Sequence, residues 1–93
     1  MIKTKKDFLL RSLGSESVVI GIGGESKSIN GMIRLNATGV FYWNELQKGT
    51  TVDALTQKTL ERFEDADEET ARADIQEFLK AIAVTLEDDG SDN

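Results

Sequence analysis

The spacing of apolar residues changes once, at Asn36, and that change limits what the chain can build. Ahead of it, "MIRL" alternates, placing Ile33 and Leu35 on one side of a strand and Met32 and Arg34 on the other. Behind it, "ATGVFYWNEL" sets Val40, Trp43 and Leu46 three apart, the spacing of an inward helix stripe. A strand that runs straight into a helix leaves early helix N–H groups without acceptors. Asn36 answers that need as an N-cap, and Gly39 allows close packing in the first turn. Trp43 reads as the core anchor that holds this helix across a sheet, with Tyr42 at the rim and its hydroxyl in water.

Upstream, "DFLLRSLG" and "SVVIGIG" read as two short strands joined around "GSES". In the second, Val18, Ile20 and Ile22 share one face and Val19, Gly21 and Gly23 the other. The glycines there suit a bulge or turn. "GIGG" is not followed by a helix, as a phosphate-binding loop requires. The polar stretch "GGESKSING" connects to the third strand through two turns.

Downstream, the first helix is expected over residues 37–47, stopping near Gly49. "TTVDALTQKTLERF" follows as a second helix, capped by Thr51, with Val52, Leu55, Thr59, Leu60 and Phe63 inward. The third helix has Asp65 with Glu68 as a capping box and Asp67 as a cap of nearly equal merit. Its stripe is Ala71, Ile75, Phe78, Leu79 and Ile82, and its exterior sets Asp74 and Glu77 among Arg72 and Lys80. The order predicts an α+β domain over residues 1–86: a three-stranded antiparallel sheet followed by three helices packed on one face. Residues 87–93 are expected to form a disordered acidic tail. One sheet edge and one broad face stay uncovered.

Composition narrows the chemistry. The 93 residues include no Cys and no His, which removes thiolate sites, disulfides and the usual catalytic base or metal ligand. A non-enzyme without a cofactor is the expectation. Residues 1–48 carry seven Lys/Arg against four Asp/Glu, whereas residues 49–93 carry four against thirteen. Residues 67–82, where a recognition helix would lie, hold five acidic and two basic residues, so neither nucleic acid nor an anionic membrane is expected as a partner. No stretch reaches transmembrane length or resembles a secretory signal, which points to a cytoplasmic protein. An acidic carrier protein would need an Asp-Ser-Leu attachment site, and none occurs.

"IRLNATGVFYWNEL", "GTTVDALTQKTLERF" and "DEETARADIQEFLKAI" together resemble the PqqD family, the peptide-binding domains also called RiPP recognition elements. Leu35, Asn36, Gly39, Trp43, Gly49, Thr51, Val52 and Leu55 carry the resemblance, which spans most of residues 8–86. It implies a winged-helix-like, non-catalytic domain that binds the leader of a ribosomal precursor peptide as an added strand. It further implies presentation of that peptide to a modifying enzyme, often a radical S-adenosylmethionine (SAM) enzyme. On this chain the implied strand edge is Met32, Ile33, Arg34 and Leu35, and the implied helix wall is Arg72, Gln76, Leu79, Lys80 and Ala83. Arg34, Arg72 and Lys80 would then meet acidic leader residues. Two other readings remain: self-pairing of the same edge in a homodimer or regulatory module, and a winged-helix nucleic-acid binder, which the acidic third helix disfavours.

Overall fold

In the computed structural model, residues 1–22 and 32–88 are described. A short strand β1 (Ile2–Thr4) precedes the hairpin of β2 (Phe8–Leu13) and β3 (Glu16–Gly21). Leu13 pairs with Glu16, so Gly14 and Ser15 alone make the turn, and Gly14 takes the positive φ of 64° that such a tight connection favours. The connection at residues 23–31, including Gly23 and its expected turns, lies outside the described residues. The chain continues as β4 (Met32–Leu35), α1 (Ala37–Lys48), α2 (Val52–Arg62) and α3 (Glu68–Ala81). A 3-10 turn (Ala83–Thr85) then leads into β5 (Leu86–Asp88).

Strands β2, β3 and β4 form the expected antiparallel sheet, in that order, followed by the three helices. Two further strands were not legible in the sequence. β1 and β5 pair antiparallel, with Ile2 opposite Asp88, and the Met1 ammonium reaches the Asp88 carboxylate at 3.3 Å. Glu87 and Asp88, assigned above to the tail, therefore belong to this ribbon, while residues 89–93 lie outside the described residues. Three-residue strands are shorter than the run on which alternation can be read.

The sheet register separates two faces. Leu10, Val19 and Ile33 form one cross-strand row on the covered face, with Phe8 and Leu35 beside it. These meet Trp43, Leu46 and Ile82 in the first core cluster. Trp43 is fully buried, as its stripe requires, and its indole N–H finds no acceptor among the described residues, so its contribution there is packing. The opposite face carries the row Leu9–Ile20–Met32 and the row Arg11–Val18–Arg34. Val18 is nonetheless fully buried, and the arginine stems in register on both sides are the groups placed to cover it.

The first helix buries more than one stripe because it is covered on two sides. Gly39, Tyr42, Trp43 and Leu46 are its buried residues, whereas Val40 is only half-buried. Tyr42 joins Leu55 and Ile75 in a second cluster between the helices, and Phe78 and Leu79 touch both clusters. Thr56 and Thr59 also turn inward, each hydroxyl donating to the carbonyl four residues back, at 2.7 and 2.8 Å. All three helices start on side-chain caps: Asn36 accepts from Gly39, Thr51 from Ala54, and Asp67, not Asp65, from Thr70.

Candidate functional site

Among the described residues β4 pairs with β3 on one side only, so its other edge offers backbone N–H and C=O groups to an added strand. Its four residues pass directly into the Asn36 cap, which fixes where α1 begins relative to that edge. The Asn36 Oδ1 accepts from the Gly39 N–H at 2.8 Å. Here α1 comes so close to α3 that a Cβ on Gly39 would lie 3.2 Å from Phe78 Cε1 and 3.3 Å from the Leu35 Cβ. A larger residue would have to displace the Phe78 ring. Glycine thus keeps a hollow open at the C-terminal end of β4.

That hollow has a volume of about 420 Å³, within the range of ligand clefts of roughly 300–1,000 Å³. Asn36, Thr38, Gly39 and Tyr42 line one side. Asp74, Glu77, Phe78 and Ala81 line the other, at the i, i+3, i+4, i+7 spacing of a single helix face. The Tyr42 hydroxyl donates to Asp74 Oδ2 at 2.8 Å. Burial, and then the Asp74 acceptor, hold the Tyr42 phenol well above its ordinary pKa, so it stays a neutral donor. The expectation of a wet Tyr42 hydroxyl at the rim is therefore corrected. The ring is buried and its hydroxyl is already bonded.

The sequence-derived site residues divide into two groups. Met32, Ile33, Arg34 and Leu35 all lie on the open edge strand, with Ile33 and Leu35 turned to the core and Met32 and Arg34 exposed. Arg34 Nε sits 3.2 Å from Glu16 Oε1, beside a second hollow formed with Ser15, Ser17 and Asn36. The helix residues are arranged differently. At 100° per residue, Arg72 points away from the 74/77/78/81 face, and it binds Asp53 Oδ1 at 2.6 Å and Glu68 Oε2 at 3.3 Å. Those two carboxylates raise the Arg72 pKa further and tie α3 to the start of α2. Leu79 packs in the core; Gln76, Lys80 and Ala83 are exposed, and none of the five lines the hollow. On α3 the hollow is lined instead by Asp74, Glu77, Phe78 and Ala81, which the sequence reading did not single out. Their common spacing was present in the sequence, but which arc faces α1 follows from packing.

Among the described residues, no Lys or Arg pairs with Asp74 or Glu77, and no group of three Asp, Glu, His or Cys side chains is placed to hold a metal ion. The arrangement is suited to recognition: a row of main-chain partners near a hollow of mixed lining that carries two carboxylates.

Among the described residues, fold and hollow define a winged-helix-like α+β domain whose edge strand β4 leads into a hollow between α1 and α3. The chain belongs to the PqqD family: the model described as "Coenzyme PQQ synthesis protein D (PqqD)" matches residues 16–83. No curated protein matches the sequence. Among solved structures, it is similar to "TbiB1 in Complex with the TbiA(beta) Leader Peptide", with a TM-score of 0.73 and 19% identity. The likeness covers 98% of this chain and 99% of that one.

Proposed function

We propose that this domain binds the leader segment of a ribosomally made precursor peptide by strand addition along β4 and presents it to a peptide-modifying enzyme. The observation that carries the reading is the edge of Met32–Leu35, unpaired among the described residues, near the α1–α3 hollow, in a chain of the PqqD family. The similar TbiB1 structure contains a leader peptide, which supports the same partner class here. Main-chain hydrogen bonds would supply affinity, at about 0.5–1.5 kcal/mol each, and the hollow would read alternate side chains. Such binding requires neither His nor Cys, in keeping with the composition. The family resemblance makes a radical SAM enzyme the partner to test first. A cytoplasmic location is part of the proposal; among the described residues no helix is long and apolar enough to cross a membrane.

The test is backbone amide chemical-shift mapping with a synthetic peptide taken from a short precursor-like reading frame sought next to this gene. Perturbations are expected at residues 32–36 and along the 74/77/78/81 face of α3. A map centred elsewhere would reject the groove. A concentration-dependent dimer that buries β4 and excludes the peptide would favour the self-pairing reading instead.

A further inference from the structure

We infer that the hollow between α1 and α3 selects a basic side chain, Lys or Arg, from the extended peptide that adds to β4. This rests on the binding reading above and names the chemistry that the same site accepts. The site itself is given by the open edge and by the space that Gly39 leaves; the charges decide only what enters it.

Three features converge. The rim carries Asp74 and Glu77, one helical turn apart on the face that lines the hollow, and among the described residues no Lys or Arg neutralises them. Phe78, close to the Gly39 backbone, and Ala81 give the hollow an apolar strip within its mixed lining, along which a long methylene stem can lie with its cation at the carboxylates. Tyr42 already donates to Asp74, which orients that carboxylate and adds no positive charge. An acidic side chain entering here would meet two carboxylates and no cation. A Lys or Arg would gain charge-assisted hydrogen bonds to these carboxylates. Strand geometry sends alternate peptide side chains to opposite faces, so the basic preference should fall on one register position, with its neighbours facing the Arg34 side.

The test uses the full chain and a displayed library of random 12-residue peptides. Bound peptides should show Lys or Arg enriched at one position of the aligned set. For a synthetic peptide of the consensus sequence, changing that residue to Glu should weaken binding about five- to tenfold. Glu77→Lys should reverse the preference. Asp74→Asn, which keeps an acceptor for Tyr42, should weaken it without unfolding the domain. Two results would overturn the inference while leaving strand addition intact. In one, the recovered peptides shift the amides of residues 32–36 but show no basic preference. In the other, the preference survives both substitutions. If no recovered peptide shifts residues 32–36, or none is recovered, the binding reading fails together with the inference.

Discussion

Two faces of α3 look alike on paper and differ in the folded chain. Each mixes charge with apolar residues, yet on one Arg72 is held by Asp53 and Glu68, and on the other Asp74 and Glu77 border an open hollow with no Lys or Arg paired to them among the described residues. The first face spends its charge inside the molecule, joining α3 to α2. The second leaves its carboxylates without such a partner among the described residues. An ion pair already made is an architectural contact, whereas a carboxylate beside an open hollow is a recognition element.

The largest perturbation removes the platform that both faces share. Trp43→Ala should cost about 3–5 kcal/mol in chemical denaturation, because Trp43 and Ile82 pack in one cluster beneath α3. A loss below about 1 kcal/mol would mean that the two faces are held independently of the sheet. Tyr42→Phe sharpens the contrast at the hollow itself. Loss of its bond to Asp74 should cost about 1 kcal/mol near neutral pH. The sign of its pH dependence is fixed by the raised phenol pKa. The folded state holds the proton after the unfolded chain begins to release it, so this stabilisation is complete below about pH 10 and declines as pH rises further. The wild-type chain should therefore lose stability above about pH 10 more steeply than Tyr42→Phe, and absorbance of the single tyrosine reports the ionisation directly. Arg72→Gln is the mildest change. It should lower stability slightly, with an effect that shrinks in high salt, and leave peptide affinity unchanged. A loss of affinity comparable to that of Glu77→Lys would erase the distinction between the faces.

Much of the fold was legible because local signals agreed with one another. Asn36 and Thr51 cap as read, Asp67 takes the cap that the sequence also offered to Asp65, and Trp43 is buried. Tyr42 was misplaced because a single apolar stripe was assumed for a helix that is covered on two sides. β1 and β5 were missed because three residues carry no measurable alternation. The edge strand was identifiable from its alternation and its place next to the cap. The lining of the α1–α3 hollow was not. Periodicity groups 74, 77, 78 and 81 but does not say which neighbour they face, and the charges of Arg72 and Lys80 suggested an acidic client where the hollow has an acidic rim.

The brevity of β4 also bears on solution behaviour. An open strand invites copies of the chain to stack edge to edge into growing sheets. This one offers only four residues, carries Arg34 on its exposed side and belongs to a chain of net charge −6. Long-range repulsion between like-charged copies opposes stacking, while a short flexible peptide of opposite charge meets no such barrier. The ladder of β4 can thus remain available to a client and still be protected from stacking on further copies of itself.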